Sequence, residues 1–204
     1  MKPTKTEALH GVELMPIKAE PIDIVKIIRI IVCVILLITS AYFALSPLPL
    51  LGLIPGISAL SYIATLWDTA RTENYRYMDW VLTTPLMLLA VLMNNPDALN
   101  YVNITMVLNV IMIGCGYFGI KEVNKTKKLM WFLLGTAIFI PIASVLLSMP
   151  YEKQLSYFLI GTWSVYPLIW ILKANYVIKE DATNIGYSLM DVISKVGLVN
   201  MINI

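Results

Sequence analysis

The sequence predicts an all-α protein, a seven-transmembrane helix bundle with short loops, and three observations carry that prediction. Of its 204 residues 58% are hydrophobic and only 14% charged, with a mean hydropathy of +0.75, which is too apolar for a water-soluble domain of this size. Polar and Pro/Gly punctuation divides the chain into seven apolar stretches at roughly 22–45, 49–68, 75–95, 99–120, 128–148, 153–175 and 184–204. Each is close to the about 20 residues a helix needs to cross hydrocarbon. These stretches nearly exhaust the chain, so the loops are only a few residues long and one membrane domain, 22–204, is expected.

Residues 1–21 read as a polar leader, with Lys2, Lys5, Glu7, His10, Glu13, Lys18 and Glu20. They have no continuous apolar core and no small-residue cleavage pattern, so the first span is expected to act as its own insertion signal. His10, the single histidine, reads as a solvated residue. Cys33 in the first span and Cys115 in the fourth read as small buried hydrophobes rather than a disulfide. The link from the second span to the third, Asp68 to Asn74, is short. No Cys/His metal spacing, P-loop or Ser/His/Asp set is present. Metal chemistry, nucleotide chemistry and enzymatic catalysis are therefore unsupported, and nothing points to a nucleic-acid partner.

An ionisable residue at mid-bilayer depth costs at least a few kcal/mol and is a functional hypothesis by default, and four such residues stand out. Arg76 and Asp79 are i, i+3 on the third span, and Asp191 and Lys195 are i, i+4 on the seventh, so each pair shares a helix face. With both faces turned inward, two carboxylates and two cations neutralise one another. A purely structural salt-bridge cluster would also read this way. Lys195 argues for more: 12 residues into its span, it is too deep to snorkel easily. A buried lysine loses its charge readily, and a neutral amine condenses with an aldehyde to give a Schiff base. Once protonated, that group requires a nearby anion, which Asp79 and Asp191 can supply.

The sixth span reads Trp163, Ser164, Val165, Tyr166, Pro167, Leu168, Ile169, Trp170. Trp163, Tyr166 and Trp170 thus fall on one stripe at i, i+3, i+7, and Trp80 on the third span adds a fourth ring. Such a stripe is packing in most helices, or an interfacial belt in a bilayer. Trp163 and Tyr166 lie near mid-span beside a proline that can kink the helix, which argues against a belt. Together these residues resemble the microbial (type 1) rhodopsins. The run Arg76-Tyr77-Met78-Asp79-Trp80-Val81-Leu82-Thr83-Thr84-Pro85-Leu86 is similar to that family's counterion segment. The Trp163, Tyr166, Pro167, Trp170 set is similar to its sixth helix, and Asp191-Val192-Ile193-Ser194-Lys195-Val196-Gly197 to its retinal-attachment segment. Asn109, Met112, Gly114 and Gly116 resemble its ring-side contacts, as Trp131 and Thr136 do more weakly. The compact loops are similar to those of rhodopsins encoded by large viruses.

The resemblance implies all-trans retinal bound to Lys195 as a protonated Schiff base. It implies Asp79 as primary counterion and proton acceptor, Asp191 as second counterion, and Arg76 as a gate on the exit side. Thr83 would hydrogen-bond the Asp79 carboxylate. Trp80 and Trp163 would sandwich the polyene, Tyr166, Pro167 and Trp170 would line the ring end, and Ser194 would adjoin the attachment point. Thr84 would pair with Asn109 for about 1 kcal/mol. Met87, Met112 and Gly116 would also contact the chromophore, with Met87 implying green absorption. Membrane lipid, protons or other small ions, and a homotrimer or homopentamer are the implied partners.

The pattern departs from the pumping relatives at Ala90, where they usually carry a carboxylate that returns a proton to the Schiff base; Asp97 lies two turns further on. Water would then have to supply that proton, so a slow photocycle with a long-lived deprotonated state is expected. Glu180 and Asp181 read as loop charges rather than a proton-release group. Orientation is in conflict. Of the 13 Lys/Arg other than Arg76 and Lys195, 12 fall on the face holding the N-terminus and only Lys153 on the other. The positive-inside rule then predicts a cytoplasmic N-terminus, against the family's usual topology. A light-driven proton transporter is the leading expectation, with a light-gated ion channel or a sensory photoreceptor acting through a separate membrane partner as alternatives.

Overall fold

The computed structural model describes residues 23–93, 95–150 and 153–202; the expected leader and His10 lie outside them. The described chain forms seven helices: α1 (Ile24–Ala44), α2 (Leu53–Trp67), α3 (Thr72–Leu92), α4 (Val102–Lys121), α5 (Lys125–Ser148), α6 (Lys153–Ala174) and α7 (Glu180–Ile202). Short 3-10 turns at Pro49–Gly52, Thr69–Arg71 and Pro96–Tyr101 lead into α2, α3 and α4. Each helix packs on the next and α7 closes the ring on α1. Helices α1, α3, α5 and α7 start on the face nearest the N-terminus, here the N-terminal face, and α2, α4 and α6 return to it.

Local chemistry sets the helix ends. The Asp23 side chain accepts from the Lys26 amide at α1, and Asn124 accepts from the Lys127 amide at α5, each satisfying an orphan N–H. Glu180, read from the sequence as a loop charge, instead opens the first turn of α7 with Asp181, where carboxylates suit the helix dipole. It pairs with Lys173, which also bridges to Glu73.

The bundle presents apolar side chains outward, as lipid requires. On α1, Ile31 and Ile38 are exposed while Val32 and Leu36 are buried. Six helices are long and apolar enough to cross a membrane. The exception is α3, which carries Glu73, Arg76 and Asp79, and most of its polar residues point inward: Thr72, Arg76, Asp79, Thr83 and Thr84 are all buried. Its low hydropathy therefore reflects an interior position rather than an aqueous one.

The two halves of the bundle differ. Toward the far face, Phe43, Ile54, Leu88, Val91, Leu92, Ile142, Leu146, Leu155, Leu159 and Leu198 form one apolar core, with Ala90 packed against it. Toward the N-terminal face the interior is polar, holding Arg29, Ser58, Thr65, Arg76, Asn184 and Ser188. Cys33 and Cys115 are buried free thiols.

Candidate functional site

Helix α7 carries the central group. Its turn Val192–Val196 is π-helical, an insertion that commonly marks a functional site. Lys195 lies within this turn and is 1% exposed. Its Nζ donates to Asp79 Oδ2 at 2.5 Å and to Asp191 Oδ1 at 3.1 Å. The expected cluster is thus assembled in part, with one cation between two carboxylates. Arg76 does not complete it. Its guanidinium donates to Asn184 Oδ1 at 2.6 Å and lies over the Tyr187 ring at 4.5 Å.

The two carboxylates are held differently. Ser58 on α2 donates to Asp79 Oδ1 at 2.7 Å. Asp191 accepts from three aromatic donors: Tyr62 at 2.9 Å, Tyr166 at 3.1 Å and Trp80 at 3.2 Å. Charge-assisted bonds of this kind are the strong ones. Two expectations are corrected here. Thr83 donates to the main-chain carbonyl of Asp79 at 2.9 Å, not to its carboxylate, because a helical threonine reaches the i−4 carbonyl more readily. The Tyr166 hydroxyl lies 2.9 Å from Ser194 Oγ, so this ring is oriented toward Lys195 rather than the far end of the cavity.

Beyond Lys195 a cavity of about 890 Å³, part of it open to the exterior, runs between α3, α4, α5, α6 and α7. Its lining includes most of the residues expected to contact the chromophore: Trp80, Thr84, Met87, Met112, Gly116, Trp163, Tyr166, Pro167, Trp170 and Ser194, and also Trp131 and Thr136. Gly116 lets the Tyr77 ring approach closely, since a Cβ there would lie 3.2 Å from it. Trp170 is anchored by its indole N–H on the Gly116 carbonyl at 3.3 Å. Asn109 stands behind the wall, 2.6 Å from Thr84 Oγ1, so the predicted clasp between α3 and α4 is present. Gly114, expected among the ring-side contacts, does not line the cavity.

Ser58, Tyr62, Tyr187, Asn184 and Arg29 were not singled out from the sequence. A signal existed on α2, where Ser58, Ser61, Tyr62 and Thr65 recur at helical spacing in an otherwise apolar span. Arg29, which follows Lys26 in the first span, entered the sequence reading only as a topology residue.

The site fits a covalently held apolar aldehyde. It offers one buried amine at the end of a ring-lined cavity, with two carboxylates to balance a protonated nitrogen. Fold and site together define a membrane protein that carries its chromophore as a Schiff base. Residues 27–203 match the family model described as Bacteriorhodopsin-like protein. The chain belongs to that family, the type 1 rhodopsins, and holds retinal on Lys195.

The relatives are distant. The Bacteriorhodopsin-II-like protein of Haloquadratum walsbyi is 25% identical over 174 residues, covering 71% of this chain and 71% of that protein. Sensory rhodopsin III of Haloarcula marismortui is 23% identical over 187 residues, covering 81% and 78%. The crystal structure of a proton-pumping rhodopsin from the marine alga Acetabularia acetabulum superimposes with a TM-score of 0.81 at 21% identity, over 89% of this chain and 94% of that one.

Proposed function

We propose that this protein is a light-driven proton transporter with a slow photocycle. The observation that supports the reading is the 2.5 Å contact of Lys195 Nζ with Asp79 Oδ2, within reach of direct proton transfer. Bound retinal supplies a light-driven isomerisation that reorients the nitrogen it shares with Lys195. Asp79 receives the proton on Oδ2, while Ser58 holds Oδ1 and keeps the carboxylate aimed. Asp191, fixed by Tyr62, Tyr166 and Trp80, is the standing counter-charge. Arg76 lies toward the N-terminal face, retained by Asn184 and Tyr187, and the proton leaves past it.

The return path makes the cycle slow. A proton arriving from the far face must cross Leu88, Val91, Leu92, Leu155, Leu159 and Leu198. Ala90 stands where a carboxylate would shorten that crossing, and Asp97 follows the end of α3 in the 3-10 turn. Water entering transiently must carry the proton, so acidifying the far-face bath accelerates recovery. Recovery in milliseconds, independent of pH, is incompatible with this reading.

The Thr84–Asn109 clasp supports a channel as the second reading, since it joins two helices whose separation would open a path. Against it, α2 carries no carboxylate, and Arg29 and Arg76 guard the N-terminal side against cations. Photocurrent under voltage clamp decides. Current that persists against an opposing potential supports transport, reversal at an ion's equilibrium potential establishes a channel, and no current points to a sensor.

A further inference from the structure

We propose that the N-terminal vestibule binds a small monovalent anion of the halide class between Arg29 and Arg76. The inference stands apart from the transport reading. Arg29 lies in the apolar run of α1, close enough to the helix start for its side chain to reach the surface. It turns inward instead and is 6% exposed. Its guanidinium donates to Thr72 Oγ1 at 3.2 Å, and among the described residues no carboxylate lies within 4.0 Å of it. Arg76 is equally without a carboxylate, bound to Asn184 and Tyr187.

Both arginines line one small polar cavity with Ser61, Tyr62, Thr65, Thr72 and Ser188, and with Asp79 and Asp191 on its inner wall. The protons of four of these hydroxyls are already committed. Ser61 donates to the Tyr75 carbonyl, Thr65 to Tyr62, Thr72 to Thr69 and Tyr62 to Asp191. Each guanidinium has five N–H donors and uses one in a hydrogen bond to a described residue, so apart from the Ser188 hydroxyl the donors left for a guest are cationic ones. A guest there is selected for negative charge. Space for about one water or one small monatomic ion excludes an organic anion.

Charge balance points the same way. The buried cluster holds three cations, Lys195, Arg29 and Arg76, against two anions, Asp79 and Asp191. The neighbouring carboxylates do not redress this: Asp23 is exposed and accepts from the Lys26 amide, and Glu73 and Glu180 are both engaged by Lys173, with the Glu180 side chain 57% exposed. A buried, unmatched guanidinium is costly, and one halide between the two arginines neutralises the cluster. Asp79 and Asp191 repel that ion from Lys195 and hold it on the arginine side. Because Asp79 lines this cavity and Lys195 does not, neutralising Asp79 weakens the repulsion and by linkage tightens halide binding.

Bromide is the probe. Crystals of the retinal-loaded protein soaked in bromide should show one anomalous peak touching both guanidiniums. It should be lost in Arg29→Gln and kept in Arg29→Lys, with the visible band of each variant verifying an intact fold. In solution, bromide should shift the visible band saturably, with an apparent Kd raised about tenfold or more by Arg29→Gln, the worth of one charge-assisted contact. Absence of a peak between the arginines, a peak beside Lys195 instead, or an unchanged titration in Arg29→Gln overturns the proposal.

Discussion

Asp79 and Asp191 are equivalent in the sequence, each one helical step from a cation, yet they are inequivalent in the fold. Asp79 takes one hydroxyl from Ser58 and keeps Oδ2 on Lys195, whereas Asp191 is tied by two tyrosines and a tryptophan. Removing the Asp79 charge raises the ground state of a cation localised at the nitrogen more than its delocalised excited state. Asp79→Asn is therefore expected to move the visible band to longer wavelength and to abolish proton movement, both readable on one purified sample. Lys195→Ala should yield no visible band at all when retinal is added. Side-chain identity announced these residues because charge in a lipid-facing span is expensive. Neutral partners such as Ser58 and Asn184 carried no such signal, and the behaviour of Thr83 depended on whether its hydroxyl met a carboxylate or the nearer main-chain carbonyl.

Helix α3 separates the polar and apolar halves of the bundle. Its first turns bear Arg76 and Asp79, and its last bear Met87, Leu88, Val91 and Leu92, sealed against α5, α6 and α7. A single carboxylate introduced into that seal should shorten proton return. Ala90→Asp is expected to speed recovery of the dark state at least about tenfold, one proton-transfer group being worth 10²–10⁴, and to weaken its dependence on bath pH; flash spectroscopy across a pH series reads both. The contact of α4 with α6 tolerates no added bulk. A Cβ at Gly119 would lie 2.9 Å from the Trp170 ring and 3.1 Å from Trp131 Cβ. Gly119→Val should cost about 1–3 kcal/mol through overpacking, seen as a lower thermal midpoint together with a shifted absorption band, since both tryptophans line the cavity. The spans themselves were legible within a few residues, because hydrocarbon thickness dictates their length. The π turn at Lys195 was not legible, since its residues have no distinguishing composition.

For the whole molecule the open question is direction. Arg71, Lys121, Lys125, Lys127, Lys128, Lys173 and Lys179 all lie at the N-terminal ends of the bundle, and Lys153 lies at the other. The positive-inside rule favours a cytoplasmic basic face, against the family's usual topology, and Arg76 lies on that same side of Asp79. Inward proton movement is the expected outcome, measured as the sign of the light-induced pH change in intact cells alongside protease access to a tag on residue 1. A tag cleaved from outside, with the medium acidified in the light, would establish the family's usual orientation instead.

Composition and spacing dictated the bundle, its seven spans and a buried lysine with two carboxylates beside it, and the motif resemblance added retinal and its aromatic contacts. The first three follow from a cost that lipid imposes on single residues wherever they fall. Tertiary structure alone decided which donor meets which acceptor: Ser58 rather than Thr83 on the Asp79 carboxylate, Tyr166 on Asp191, Asn184 rather than a carboxylate on Arg76, and Arg29 turned into the vestibule. Those contacts join residues up to 108 positions apart, and they depend on helix rotation and rotamer, which no local pattern of neutral polar residues encodes.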